Sequence, residues 1–150
     1  MTGYPDHLWH GLADLSGLLL SEESLETTLR RVADLAVRSI EGCDAVGVTL
    51  SEDGTPTTRA ATGGLVYEVD HYQYDIDQGP CLQAVRDQRP FQIDEMAEEE
   101  RWPGFCRHAA ERGIHSSLSL PLTVRGDTLG ALNLYSRSPA ASAPPTARPG

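Results

Sequence analysis

The sequence predicts an α+β fold in which helices flank a mainly antiparallel sheet. Two observations support this prediction: apolar residues recur at helical spacing over residues 8–40, and the clearest strand pattern is a hairpin at residues 115–136. A chain of 150 residues can bury one hydrophobic core without disulfides or a structural metal, so a single domain is expected.

Two amphipathic helices are predicted near the N-terminus. The leucines from Leu8 to Leu19 recur at i, i+4, i+7 and i+11, and a second apolar stripe runs from Leu25 to Ile40. Ser21 can cap the second helix, and Gly42 follows its end. Both stripes need an apolar surface to bury against, which a sheet would supply.

Two strands and an irregular segment follow. The segment AVGVTLS (45–51) alternates large and small residues, and the turn at Asp53-Gly54 leads to a short strand in TTRAAT (57–62). Residues 63–78 begin with two glycines and continue in a mixed pattern, which predicts a loop with a short helix.

The crossover after residue 78 predicts two more helices and a short strand. PCLQAVRDQ (80–88) is typical of a helix with proline at its first position, and RPFQID (89–94) of a short strand. A further helix is expected to begin near Pro103 and to end near Gly113.

The strongest strand signal is HSSLSLPLTV (115–124), which the turn Arg125-Gly126-Asp127 joins to TLGALNLYS (128–136). Leucines alternate here with Ser117 and Ser119, so the two serines are expected on the face opposite the leucines. Pro121 cannot donate to a strand ladder, which predicts an edge, a bulge or a strand end at that residue.

The composition excludes several classes of function. A net charge of −10 argues against nucleic acid and against an anionic membrane surface as partners. No apolar run is long enough to span a membrane, and the first residues lack the pattern of a signal peptide, so a cytoplasmic location is expected. Three widely spaced cysteines fit reduced thiols, and their spacing with histidine does not match a zinc site.

Several strings resemble the GAF domain, a small-molecule sensor module of signalling proteins. They are DQGPCLQAV (77–85), RPFQIDEM (89–96), and ERWPGFCRHAAERGIHSSLSLPL (100–122), which runs into RGDTLGALNLYS (125–136). In particular the chain resembles actinobacterial GAF domains found before an RNA-binding antitermination (ANTAR) module. No ANTAR module is present here, so the chain is expected to act through partners or to be a fragment.

The resemblance implies a GAF-like fold, related to the PAS and profilin folds, with a central antiparallel sheet of about six strands. N-terminal helices would cover one face, and loops and short helices would close a pocket on the other. The expected domain spans residues 8–136, after an extension at 1–7 and before a Pro/Ala-rich disordered tail or linker at 137–150. A homodimer through the N-terminal helices and a signalling protein as partner are further expectations.

The expected ligand is a small planar molecule held between the sheet and a lid formed by residues 65–80 and 94–106. Ser117, Ser119 and Asn133 would offer polar groups to it, and Trp102 with Phe105 an aromatic surface. Cys81, at the start of a helix, and Asp94, at a strand exit, complete the seven candidate ligand-binding residues.

Two rival functions stay open at this point. One is a thiol-dependent enzyme of the free methionine sulfoxide reductase type, which would use Cys81 as nucleophile. The other is a ligand-free dimerisation module whose pocket is filled by its own side chains. The leading expectation is a non-catalytic sensor with no catalytic residue, cofactor or metal. Haem ligation by His71, His108 or His115 is less favoured than a surface or hydrogen-bonded role for these histidines.

Overall fold

A computed structural model describes residues 22–139, with side chains described from Leu25 onward. Four helices and five strands follow one another along this part of the chain. They are α1 (Glu22–Ser39), β1 (Ala45–Glu52), β2 (Thr55–Ala61), α2 (Gly64–Ile76), α3 (Pro80–Asp87), β3 (Phe91–Ile93), α4 (Pro103–Glu111), β4 (Ser116–Val124) and β5 (Asp127–Ser136). The predicted α+β class is therefore confirmed.

The five strands form one antiparallel sheet in the order β2-β1-β5-β4-β3. The resemblance implied about six strands, and that number is slightly wrong for the described residues. The crossover between β2 and β3 is taken by helices α2 and α3, so this stretch contributes no further strand.

The face of the sheet that carries the leucines is covered by α1. Leu29, Ala33 and Ala36 of the helix are buried against Val46 and Val48 of β1 and against leucines of the two C-terminal strands. The stripe predicted from Leu25 to Ile40 is thus a buried helical face, and burial of this apolar area stabilises the fold. The leucines of β4 lie on this side, which leaves Ser117 and Ser119 on the other, as their alternation predicts.

The opposite face is covered by α2, α3 and α4. An apolar cluster there joins Val66 and Val69 of α2 to Ile93 of β3, Phe105 of α4 and Tyr135 of β5. Helix α3 packs directly on β4 and β5, beside this cluster. Gly47 of β1 lets α2 approach, because an added Cβ would lie 2.5 Å from a Val66 methyl group and 2.8 Å from an Asp70 oxygen.

Residues 64–76 form a helix of 13 residues, where the sequence pattern predicted a loop with a short helix. The buried residues of this helix are Val66, Val69, Asp70 and Gln73, at i, i+3, i+4 and i+7. Two of the four are polar, which hides the amphipathic pattern from a reading based on hydrophobicity alone. The helical spacing itself was present in the sequence.

Pro121 lies beyond the part of β4 that pairs with β3. Strand β3 pairs with β4 only from Ser117 to Ser119, so at Pro121 the strand pairs with β5 alone. The register shifts shortly afterwards, between Leu122 and Thr123. The expected edge-and-bulge setting is thus found.

The predicted helix over Leu8–Leu19, the dimer contact assigned to it and most of the tail lie outside the described residues. Within residues 22–139, none of the helices combines the length and the apolar composition needed to cross a membrane.

Candidate functional site

Polar side chains are concentrated on the sheet face beneath α2 and α3. Thr49 comes from β1, Ser117 and Ser119 from β4, and Asn133 from β5. Gln73 of α2 and Cys81 of α3 face them. We call these six residues the polar site; each of the six side chains is at most 1% exposed.

Gln73 joins the two helices that cover the polar site. Its Oε1 accepts hydrogen bonds from the backbone N–H groups of Cys81, at 2.8 Å, and Leu82, at 3.3 Å. These are orphan donors in the first turn of α3, so the glutamine acts as a cap from outside the helix. Glycine is required at position 79, because an added Cβ would lie 2.1 Å from Gln73 Oε1.

Thr49 is the centre of the hydrogen-bond network in the polar site. Its Oγ1 accepts from Asn133 Nδ2 at 3.0 Å and from the Cys81 thiol at 3.4 Å. The same hydroxyl lies 2.6 Å from Tyr74 Oη. Three elements that are remote in sequence therefore meet at one hydroxyl group.

A buried carboxyl group, Asp70 of α2, lies next to the polar site. Thr58 Oγ1 donates to Asp70 Oδ2 at 2.8 Å, and Tyr135 Oη donates to Oδ1. Tyr74 Oη lies 2.8 Å from Thr58 Oγ1 and continues the chain to Thr49. We call Asp70, Thr58, Tyr74 and Tyr135 the carboxyl network.

Burial raises the pKa of Asp70 from 3.8 to about 6, although the hydrogen bonds from Tyr135 and Thr58 partly offset this effect. The same burial, with the Asp70 charge nearby, raises the pKa of Tyr74 and Tyr135 above the ordinary range. At neutral pH the network therefore holds one ionised carboxyl group and two neutral phenols.

The ionised carboxylate orders the protons of the network. It can only accept, so the single proton of Thr58 is given to Asp70. Tyr74 must then donate to Thr58, and Thr49 must donate to Tyr74. Because the proton of Thr49 is used in this way, its hydroxyl oxygen can only accept a hydrogen bond from Asn133. The group of the Asn133 amide that faces Thr49 is therefore Nδ2.

Four polar atoms of the polar site are buried and have no hydrogen-bond partner among the described residues. They are Gln73 Nε2, Ser117 Oγ, Ser119 Oγ and Asn133 Oδ1. Across the residues with described side chains, two other atoms share this condition, His108 Nε2 and Thr128 Oγ1. Ser119 pairs directly with Asn133 across the strands, and Ser117 is two residues away on the same face, so these three residues lie side by side on the sheet face that α2 and α3 cover.

Cys81 is poorly suited to act as a nucleophile. Burial, followed by the Asp70 charge, raises the pKa of its thiol from 9.0 to about 12. The side chain is 0% exposed. A reactive cysteine needs a depressed pKa and access to solvent, and Cys81 has neither.

The structure brings four of the seven predicted site residues together: Cys81, Ser117, Ser119 and Asn133. Trp102 packs edge-on against Phe91, with ring centroids 5.8 Å apart, and Phe91 pairs with Ser119. Trp102 is thus next to the strand pair that carries Ser119, and Phe105 belongs to the apolar cluster that contains Ile93 and Tyr135. Asp94 is exposed, and its carboxylate accepts from the Gln92 side chain at 2.6 Å, so it lies outside the polar site.

The sequence patterns missed Thr49, Gln73 and the whole carboxyl network. The available signal was the stripe of α2, in which Asp70 and Gln73 share a helical face with two valines. A polar residue on a buried helical face is expected to have a partner, so it marks a polar site.

None of the three histidines of the described residues belongs to the polar site, although the ring of His71 packs edge-on against Tyr74 of the carboxyl network, with centroids 5.7 Å apart. His108 stacks on Tyr72 with ring centroids 3.8 Å apart, and His115 Nδ1 lies 3.2 Å from Glu95. His71 is exposed on α2. Groups of three or more metal-ligating side chains are absent from residues 25–139.

A model of the GAF domain family matches residues 22–145. The chain belongs to the GAF domain family. Solved structures agree on the fold of this GAF domain. The GAF domain region of a membrane protein from Geobacter sulfurreducens has a TM-score of 0.65 at 16% identity, and 82% of each chain is covered. A type II free methionine-R-sulfoxide reductase from Thermoplasma acidophilum has a TM-score of 0.64 at 18% identity, covering 80% of this chain and 79% of that one.

This GAF domain is also 26% identical, over 144 residues, to the anaerobic nitric oxide reductase transcription regulator NorR of Vibrio vulnificus. The match covers 93% of this chain but spans about a quarter of that regulator's length, 27%. The GAF resemblance stated from the sequence is thus confirmed. The narrower resemblance to actinobacterial domains of the ANTAR type stays a prediction.

Proposed function

We propose that this GAF domain is a sensory, regulatory domain that binds a small molecule in the polar site. One observation carries the proposal: four polar atoms from three different elements, α2, β4 and β5, are buried without a hydrogen-bond partner among the described residues. The match of the chain to part of a transcription regulator supports a regulatory role.

The energetics favour a ligand over a site that is complete by itself. A buried polar group without a hydrogen bond costs about 1–3 kcal/mol, so four such groups are an appreciable burden on a domain of this size. In a pocket filled by its own side chains, these atoms would find protein partners. The rival function of a ligand-free dimerisation module is therefore disfavoured.

The effect of ligand binding in the polar site is transmitted to the rest of the domain through Gln73. That side chain already links α2 to the first turn of α3, and α3 packs on β4 and β5. A ligand that bonds to Gln73 Nε2 changes the position of both helices on the sheet. The proposed output is an altered contact with a second copy, through the N-terminal helices, or with a signalling partner. This change of contacts occurs only to the extent that the ligand binds one arrangement of the helices more tightly than the other.

We propose no catalytic role for Cys81. The likeness to free methionine-R-sulfoxide reductases is at 18% identity and concerns the fold. The buried thiol with its raised pKa argues against thiol chemistry at this residue. We further propose that Trp102 and Phe105 form an apolar wall beside the ligand.

The test is to replace both open serines and to measure binding and stability together. Native mass spectrometry of the protein purified gently from cells detects a retained small molecule. In the variant Ser117→Ala/Ser119→Ala we expect this molecule to be lost. The free energy of unfolding should stay unchanged or rise by about 1 kcal/mol, because the removed hydroxyls had no partner.

Ser116→Ala is the matched control on the same strand. Ser116 is also buried, but its hydroxyl donates to the Ser138 carbonyl oxygen at 2.6 Å. We expect this variant to retain the molecule and to lose about 1 kcal/mol of stability. Equal destabilisation by the double variant, together with no molecule retained by the wild-type protein, would sink the proposal.

A further inference from the structure

We propose that the ligand of the polar site is a small uncharged molecule with an adjacent hydrogen-bond acceptor and donor, such as a primary amide or a urea. This inference rests on the proposed function and concerns the same site. It follows from which open atoms can donate and which can accept.

The open atom of Gln73 is a donor. Its carbonyl Oε1 is held by two backbone N–H groups, those of Cys81 and Leu82, which only an acceptor can satisfy. The amide nitrogen is therefore the atom left over, and it is buried without a partner in the described part of the chain. A ligand must present an acceptor here.

The open atom of Asn133 is an acceptor. The chain of hydroxyl groups from Asp70 through Thr58 and Tyr74 uses the proton of Thr49. Asn133 must therefore turn its Nδ2 to Thr49, at 3.0 Å, and leave Oδ1 open. A ligand must present a donor to this atom.

The two open hydroxyls bound the size of the ligand. Paired residues such as Ser119 and Asn133 have Cβ atoms about 5 Å apart, and residues two apart on a strand are separated by about 7 Å. Each hydroxyl can donate or accept. A group of a few heavy atoms therefore spans the two serines and Asn133.

Charged ligands fit this set poorly. A simple anion has no donor for Asn133 Oδ1 and would be repelled by the Asp70 carboxylate nearby. The N-terminus of α3, which would attract an anion, is already capped by Gln73. A simple cation has no acceptor for Gln73 Nε2, and both oxygens of Asp70 already accept hydrogen bonds.

The arginine of α3 and the one just before α4 do not change this balance. Arg86 pairs with Asp77, and Arg101 with Glu99, both on the surface. In the hydrogen bonds described for the polar site, no cationic side chain takes part.

The experiment is a titration followed through the side-chain amide signals of Gln73 and Asn133 by nuclear magnetic resonance. The probes are acetamide, acetate, nitrate and guanidinium, each up to about 100 mM at constant ionic strength and neutral pH, because ligands of so few atoms bind weakly. We expect acetamide to shift both signals saturably, and the three ions to leave them unchanged. Ser117→Ala/Ser119→Ala should weaken acetamide binding at least tenfold, whereas Ser116→Ala should not.

The outcomes separate this inference from the proposed function. If acetate, nitrate or guanidinium saturates the same signals more tightly than acetamide, the uncharged ligand is wrong but the site stands. If no probe binds, the exact mass of the molecule retained by the cell-purified protein decides. A charged molecule, or one without an adjacent donor and acceptor, overturns the inference, and the absence of any retained molecule overturns both proposals.

Discussion

Replacement of Asp70 by asparagine removes a buried carboxyl group while keeping its shape. Asp70 is 0% exposed and accepts hydrogen bonds from Tyr135 and Thr58. Its pKa in the folded protein is about 6, compared with 3.8 for an exposed carboxyl group. Because the two pKa values differ, the stability of the wild-type protein has a pH dependence that Asp70→Asn lacks.

The sign and size follow from linkage. Below about pH 3 the carboxyl group is protonated in both the folded and the unfolded chain, so it contributes no penalty. Above pH 6 it is ionised in both, and the folded chain carries the cost of a buried charge. Each pH unit between the two pKa values corresponds to about 1.4 kcal/mol, so the penalty at pH 7 is about 3 kcal/mol. The stability of wild type relative to Asp70→Asn therefore falls by about 2.5 kcal/mol as the pH rises from 4 to 7.

The assay is urea unfolding at pH values from 4 to 7, followed by tryptophan fluorescence, with the free energy of unfolding obtained by linear extrapolation. Other groups titrate in both proteins, so the quantity to plot is the difference between the two free energies. Asp75→Asn, on the exposed side of the same helix, is the matched control for exchanging a carboxyl group for an amide without burial. Parallel pH profiles for wild type and Asp70→Asn would refute the raised pKa, and a difference that grows in the other direction would refute its sign.

Three further predictions concern the same packing. Tyr135→Phe should lower the free energy of unfolding at pH 7 by about 1.5–3 kcal/mol, because the ionised Asp70 loses a donor, whereas the exposed Tyr67→Phe should change it by less than about 0.5 kcal/mol. Gly130→Ala should destabilise by about 3 kcal/mol in the same assay, since its Cβ would lie 1.8 Å from the Thr49 carbonyl oxygen; a stable variant would show that the strands can separate there. In native protein at pH 8 the thiol of Cys81 should react with iodoacetamide only as fast as the chain unfolds, which mass mapping detects, and rapid selective labelling would return the thiol-enzyme rival to consideration.

Much of the fold could be predicted from local patterns. Three such patterns are the stripe from Leu25 to Ile40, the alternation in β4 and the proline at the start of α3. Each depends only on the geometry of one helix or strand and on which of its faces is buried. Such patterns repeat every two or 3.6 residues, so they survive in a single sequence. The side of β4 that carries Ser117 and Ser119 followed from the same alternation.

The composition of the polar site could be predicted only in part. Ser117, Ser119, Asn133 and Cys81 were found because they lie in regular elements or in strings typical of the GAF domain. Asp70 and Gln73 were missed, because polar residues on the buried face of α2 weaken the hydrophobic periodicity by which that helix is recognised.

The sequence by itself determined the α+β class, the family, the acidic surface and the two-sided character of the strands. Only the tertiary structure decided which polar residues meet. Asn133 and Thr49 are 84 residues apart, and Tyr135 and Asp70 are 65 apart. No local periodicity records such pairs, because they arise when β1 and β5 become neighbours and α2 packs over them. The order of donors and acceptors, and with it the expected chemistry of the ligand, exists only in that packing.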